Sequence, residues 1–215
     1  MRYPVILFDL DGTLTDPTEG ITKSVQHALA RFDIAAELDS LRSFIGPPLH
    51  HSFMREYGFD EPQARLAIQH YREYFSDRGI YENRMFEGIP DLLHQLRSAG
   101  ASLSVVTSKP AVYAEQIVRH FEIADYFDTV IGPGLDLAGA EKPILVSRAI
   151  QHHEASDATA LVMIGDREHD ILGAKSNAIE SIGVTYGAGT RDELAAAGAT
   201  HIVDTVSDLR TLLLR

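Results

Sequence analysis

The chain has no cysteine among its 215 residues. That excludes disulfides, a thiolate nucleophile and Cys-ligated zinc, and it suits a reducing cytoplasm. Basic residues are scarce beside acidic ones: 19 Lys+Arg against 31 Asp+Glu give a formal net charge of −12. Such a field repels phosphate backbones and anionic lipid, so no nucleic acid and no membrane is expected as a partner. A small anionic substrate stays open, because a local site can oppose the global sign. No apolar run approaches the roughly 20 residues that span a bilayer. The stretch Val5 to Phe8 is too short for the core of a signal peptide and stops at Asp9. A soluble, cytoplasmic protein is the expectation.

Hydrophobic residues at 45% and charged residues at 23% are ordinary globular values, and they exclude a largely disordered chain. A chain of this length buries roughly 70% of its unfolded surface without metal or disulfide support. Short apolar runs end abruptly in Gly, Asp, Thr or Ser: Val5–Phe8, Ser102–Val106, Thr129–Ile131, Ala160–Ile164, Ser181–Val184 and His201–Val203. Near-continuous runs of this kind suit parallel strands buried on both faces. Helical patterns lie between the later ones. Ile89, Leu92, Leu93 and Leu96 precede Gly100; Val112, Ile117 and Phe121 follow Pro110; Ile144, Leu145, Arg148 and Ala149 follow Pro143. The alternation predicts an α/β fold, a doubly wound, Rossmann-like parallel sheet with right-handed crossovers.

One connection breaks the rhythm. Roughly 90 residues separate the first strand from the second, where a crossover needs only a dozen or more. Ile21, Val25, Leu29 and Phe32 share a helical face there, as do Ile68, Tyr71 and Phe75, with Gly46-Pro47-Pro48 between them. This predicts a helical cap domain over residues 17–84, inserted into a core domain of residues 1–16 and 85–215.

Ligands of open α/β sheets bind outside the carboxyl ends of the strands. The first strand ends in Phe8-Asp9-Leu10-Asp11-Gly12-Thr13. Strand alternation sends Asp9 and Asp11 to one side and Leu10 to the core. Two carboxylates that close need a cation or a shared proton, and a hard divalent ion such as Mg²⁺ fits an oxygen-only site. The second strand ends in Thr107-Ser108-Lys109-Pro110, where hydroxyls and backbone N–H groups make either an anion-binding corner or an ordinary helix cap. A later strand ends in Gly165-Asp166-Arg167-Glu168-His169-Asp170. Asp166 and Asp170 stand four apart, as metal ligands or as acids favoured by the first turn of a helix. Lys142-Pro143 and Lys109-Pro110 have the same local form, and spacing does not choose between the two lysines. The pairs His50-His51 and His152-His153 read as solvated helix faces, and Gly187-Ala188-Gly189 lacks a dinucleotide fingerprint.

Taken together these elements resemble the haloacid-dehalogenase-like (HAD) superfamily of phosphatases. Asp9 to Asp16 is similar to its first motif, Thr107 to its second, Lys142 to its third, and Gly165-Asp166 through Asp170 to its fourth. Phe44-Ile45-Gly46-Pro47-Pro48-Leu49 and Ile164 to Ile171 resemble the phosphoglycolate phosphatase-like branch, some of whose members are 5′-nucleotidases. The resemblance favours Lys142 over Lys109. It implies Asp9 as nucleophile through an aspartyl-phosphate, Asp11 as acid and base, and Thr107, Ser108 and Lys142 as phosphate-binding groups. It implies Mg²⁺ on Asp9, the backbone carbonyl of Asp11 and Asp166, with Asp170 in the metal site to orient its shell or Lys142. Ile45, Gly46 and Pro47 are the cap residues expected to face a small phosphorylated metabolite. A monomer or weak homodimer is expected. A phosphomutase and a non-catalytic phosphorylation switch are the rival readings. Ala178 departs from the family, standing where relatives usually carry Gly at a helix C-terminus.

Overall fold

The computed structural model describes residues 2–153 and 158–215. It divides into two compact units, one of Met1–Thr15 and Met85–Arg215, the other of Asp16–Arg84. Strand β1 (Val5–Phe8) leads into the second unit, which holds helices α1 (Thr18–Ala30), α2 (Leu49–Tyr57) and α3 (Glu61–Tyr74) and a 3₁₀ turn over Leu38–Phe44. Ile21, Val25 and Leu29 of α1 and Ile68 and Tyr71 of α3 are buried. Asp60 caps α3: its side chain accepts from the Gln63 N–H while Gln63 Oε1 accepts from the Asp60 N–H, closing both ends of a capping box. Gly46, at φ 100°, turns the chain out of the 3₁₀ segment, and Pro48 starts α2.

The larger unit continues with α4 (Ile89–Ser98), β2 (Ser102–Val106), α5 (Ala111–His120), β3 (Thr129–Ile131) and α6 (Lys142–His152). It closes with β4 (Leu161–Gly165), α7 (Glu168–Ser176), β5 (Glu180–Val184), α8 (Arg191–Ala197), β6 (His201–Val203) and α9 (Val206–Leu213). The strands form one parallel sheet in the order β3-β2-β1-β4-β5-β6. It is the doubly wound α/β sheet that the alternation of runs predicts. Strand order reverses beside β1, so the carboxyl ends of β1, β2 and β4 surround the topological switch point. Register brings them level, with Phe8 beside both Val105 and Ile164. Among the described residues no helix is long and apolar enough to cross a membrane.

Three details differ from the sequence reading. The buried stripe of α5 runs through Ala114, Ile117 and Val118, and that of α6 through Leu145, Val146 and Ala149; Val112 and Ile144 stay outside. Both exposed residues sit in the first turn, where the apolar pattern runs past the face that packs. His153 is no solvated group. It is half-buried against β2, with Nε2 and the Oγ of buried Ser104 2.7 Å apart, and burial holds its pKa below the ordinary value. His50 is half-buried too, paired with Glu61.

Ala178 follows α7 with φ 56°. Its N–H donates to the Lys175 carbonyl and the Ile179 N–H to the Ala174 carbonyl, the bond pair of a Schellman end, where a left-handed residue is usually Gly. A Cβ in this conformation costs roughly 1 kcal/mol. Ala178→Gly should therefore raise the melting temperature by about 2–4 °C for a chain of this size. Calorimetry that found an unchanged or lower midpoint would contradict that assignment.

Candidate active site

Both acids of the first motif lie just beyond the end of β1 at Phe8. Asp9 and Asp11 are both buried yet polar, while Leu10 between them is fully enclosed. The Asp9 N–H donates to the Ile164 carbonyl at 2.8 Å, fixing the chain against β4 just past the end of β1. From Leu10 onward the chain coils, with the Leu14 and Thr15 N–H groups donating to the Leu10 carbonyl at 2.9 and 3.0 Å. Gly12 sits in this coil at φ 86°, and a Cβ there would lie 2.2 Å from Asp166 Oδ2. Only Gly fits that backbone and that neighbour.

Asp166 leaves the end of β4, and Asp170 occupies the first turn of α7; both are buried. Asp170 Oδ2 accepts from the Arg167 N–H at 3.2 Å, so it caps the helix as a first-turn acid can. Its other oxygen faces Lys142 Nζ at 2.7 Å. Lys142, at the start of α6, also donates to Asp9 Oδ1 at 2.9 Å and to the Val106 carbonyl at 3.0 Å. Gly165 makes the approach of Asp170 possible, since a Cβ there would stand 2.1 Å from the Asp170 carboxyl carbon. Thr107 is buried at the end of β2, its Oγ1 accepting from the Lys109 N–H at 3.2 Å. Ser108 Oγ donates to the Ala140 carbonyl at 3.0 Å.

The structure thus gathers Asp9, Asp11, Thr107, Ser108, Lys142, Asp166 and Asp170 at one sheet edge. Ile45, Gly46 and Pro47 lie in the other unit, in the turn before α2, with Ile45 buried.

Two features escaped the sequence reading. Lys109, set aside in favour of Lys142, is in the site as well: its Nζ lies 2.6 Å from Asp11 Oδ2, and both side chains are nearly enclosed. Its signal was a place at a strand end, together with the Lys-Pro form that it shares with Lys142. The Gly187-Ala188-Gly189 loop also belongs here. The Ala188 N–H donates to Asp166 Oδ2 at 2.7 Å, and Cβ atoms at positions 187 and 189 would collide with Asp166. The loop follows β5, so the rule that locates ligands at strand ends would have marked it too.

Electrostatics make the site unfinished by itself. With all four acids ionised, Asp9, Asp11, Asp166 and Asp170 would face the two ammonium groups of Lys109 and Lys142 with a net 2 − 4 = −2. Burial, reinforced by the Asp170 and Asp9 carboxylates, pushes the Asp166 pKa up to about 8. Burial raises Asp170 too, against the pull of Lys142. Asp11 is likewise raised by burial, although Lys109 opposes the shift. Burial draws the Lys142 ammonium downward, but Asp170 and Asp9 outweigh it and hold its pKa above the ordinary lysine value. Carboxylate oxygens of Asp9, Asp166 and Asp170 lie within 4.8 Å of one another. Asp166 Oδ1 is buried without a hydrogen-bond partner among the described residues. An oxygen-only cluster, an orphaned carboxylate oxygen and buried acids that resist ionising without a counter-charge fit a hard divalent cation.

Residues 6–184 match the family described as haloacid dehalogenase-like hydrolase. The chain belongs to that family. Its relatives include a 5′-nucleotidase and phosphoglycolate phosphatases, and also a protein kinase. A 5′-nucleotidase of Pseudomonas aeruginosa is 51% identical over 214 residues, 99% of this chain and 96% of its own. The tyrosine-protein kinase PtkA of Mycobacterium tuberculosis is 37% identical over 97% of this chain and 72% of its own. The phosphoglycolate phosphatase of Vibrio parahaemolyticus is 25% identical over 95% of this chain and 93% of its own. Among solved structures, a predicted phosphatase from Clostridium acetobutylicum superposes with a TM-score of 0.96 at 47% identity, covering 100% of this chain and 99% of that one. HAD phosphatases generally use a divalent metal, and here the acids able to hold it are Asp9, Asp166 and Asp170. This protein is a HAD phosphatase.

Proposed function

We propose that the protein is a Mg²⁺-dependent hydrolase of small phosphomonoesters acting through an aspartyl-phosphate on Asp9. One observation carries the reading: Asp9 is buried, belongs to the acidic cluster and accepts from Lys142, while Asp11 follows it in phase. A nucleophile must meet phosphorus where the negative charge of the phosphoryl group is offset, and that is where Asp9 stands. Lys142 and the end of β2 at Thr107 and Ser108 bind phosphate oxygens. Asp11, its pKa raised by burial, gives its proton to the leaving oxygen and then takes one from the attacking water. Asp9, Asp166 and the Asp11 carbonyl hold Mg²⁺, which offsets phosphoryl charge when bound. Asp170 holds Lys142 in line with Asp9, as its 2.7 Å contact supports.

Among small substrates, nucleoside monophosphates come ahead of phosphoglycolate, because the relative at 51% identity carries the name 5′-nucleotidase and the phosphoglycolate phosphatase stands at 25%. A Mg²⁺-supplemented screen of phosphomonoesters tests this. Turnover of nucleoside monophosphates or other small esters is expected, with none on phosphoprotein or nucleic acid and no phosphoryl transfer to protein tyrosine. A protein that took up phosphate once without turnover would be a switch; one that moved phosphate between sugar hydroxyls would be a mutase.

The Gly46-Pro47-Pro48 turn of the cap discriminates among leaving groups, its two prolines holding shape at low entropy cost. Ile45→Ala or Leu49→Ala should reorder the preference among natural esters while scarcely changing hydrolysis of p-nitrophenyl phosphate. Equal scaling of all substrates, or no change in any, would remove this role.

A further inference from the structure

Lys109 enters neither the acidic cluster nor the Asp9–Lys142 pair, yet the fold goes to some length to place it. Its N–H donates to Thr107 Oγ1, and its carbonyl packs so tightly on Gly132 that a Cβ there would lie 2.5 Å away. The next residue, Pro110, starts α5. The backbone is therefore fixed on both sides, and the ammonium is delivered to Asp11 Oδ2 at 2.6 Å. Buried ion pairs are weak contributors to stability, because the desolvation of two charges offsets most of their attraction. An enclosed pair at the functional end of a sheet asks for another reason.

The two oxygens of Asp11 supply one. Oδ2 accepts the ammonium, whereas Oδ1 is buried with no hydrogen-bond partner among the described residues. An oxygen that accepts from an ammonium is poorly placed to carry the acid proton as well. We propose that Lys109 is a positioning residue that anchors Oδ2 of Asp11 and thereby assigns Oδ1 as the oxygen that exchanges protons with substrate and water. This rests on the phosphomonoesterase reading above. As the bond from phosphorus to the leaving oxygen breaks, the O–H bond at Oδ1 breaks with it and the proton passes to that oxygen. The carboxylate left behind takes a proton from the water that attacks the aspartyl-phosphate, which restores Oδ1–H. Lys109 keeps its protons throughout.

Lys109→Met tests the assignment, with Lys109→Arg as the conservative variant and Lys109→Gln if the Met variant fails to fold by circular dichroism. For alkyl phosphates, kcat should fall on the order of 30-fold with KM held, a part of the roughly 10²–10⁴ that a positioned acid supplies. With p-nitrophenyl phosphate, whose leaving group departs without a proton, phosphoenzyme should still form quickly but hydrolyse slowly. Rapid mixing should then show a burst of p-nitrophenolate near one equivalent of enzyme. Lys109→Arg should restore part of the loss. A rise in KM for every ester without a burst would make Lys109 a phosphate-binding group, and equal loss of kcat on both ester classes without a burst would make its role merely structural; either overturns the proposal. Crystal structures of wild type and Lys109→Met give a readout independent of turnover. The Asp11 carboxylate should leave its place in the variant, and an unmoved Asp11 would overturn the proposal. If wild type hydrolyses no phosphomonoester at all, the functional reading falls, and the crystal comparison still decides whether Lys109 fixes Asp11.

Discussion

Asp9→Asn should lose turnover by on the order of 10⁴-fold or more, the scale seen when a covalent nucleophile is removed from its catalytic unit. The amide is nearly isosteric with the carboxylate but does not attack phosphorus. The fold should survive, because Lys142 keeps its 2.7 Å contact with Asp170 and its 3.0 Å bond to the Val106 carbonyl. Circular dichroism and the melting temperature check that survival. Beryllium fluoride, which bonds to a carboxylate as a phosphoryl mimic, should bind wild type in the presence of Mg²⁺ and fail to bind the variant. A purified Asp9→Asn protein with substantial residual kcat would mean that another group attacks.

Mg²⁺ affinity should strengthen on the order of 50-fold between pH 6 and pH 8, because the cation displaces a proton from Asp166, whose pKa is pushed up to about 8. The sign follows from the direction of the shift. In the unfolded chain this carboxyl ionises near 3.8, whereas in the folded, metal-free protein it keeps its proton to about 8. The folded state binds more protons in that window, so metal-free stability falls as pH rises through it. Mg²⁺ offsets that loss, and the Mg²⁺-induced rise in melting temperature should be larger at pH 8 than at pH 6. Asp166→Asn removes the buried charge: it should flatten the pH dependence, stabilise the metal-free protein at pH 8, and raise the Mg²⁺ requirement by about 100-fold or more, beyond the 10–100-fold typical of outer-shell changes. EDTA should inactivate wild type reversibly, with Ca²⁺ restoring activity poorly because it prefers more ligands at longer distances. Calorimetric titrations at the two pH values check this, and a pH-independent Mg²⁺ affinity would contradict it.

Much of this arrangement was legible in the sequence. The apolar runs marked the strands because parallel strands buried on both faces must be apolar throughout, and Asp9 and Asp166 stood out as the first charges after such runs, with Asp11 in phase behind Asp9. The left-handed turn at Ala178 was legible from one unexpected side chain. What remained hidden depends on packing between distant segments. The inward faces of α5 and α6 are set by the sheet, so Val112 and Ile144 fit the helical period and still face out. His153 is polar in sequence context, but the fold sets it against Ser104, 49 residues earlier. Lys109 and Lys142 are each followed by proline; only the fold gives one to Asp11 and the other to Asp9 and Asp170. The Gly187–Gly189 loop carries no chemistry of its own. Its value lies in the missing side chains that let it close on Asp166.

The stereochemical course at phosphorus decides whether Asp9 is the nucleophile. A phosphomonoester made chiral with oxygen isotopes would be hydrolysed in isotopically labelled water, and the configuration of the released phosphate determined. Attack by Asp9 followed by attack of water inverts phosphorus twice, so net retention is expected, whether or not the phosphoenzyme accumulates. Net inversion would mean that water attacks the substrate directly, and Asp9 would not be the nucleophile.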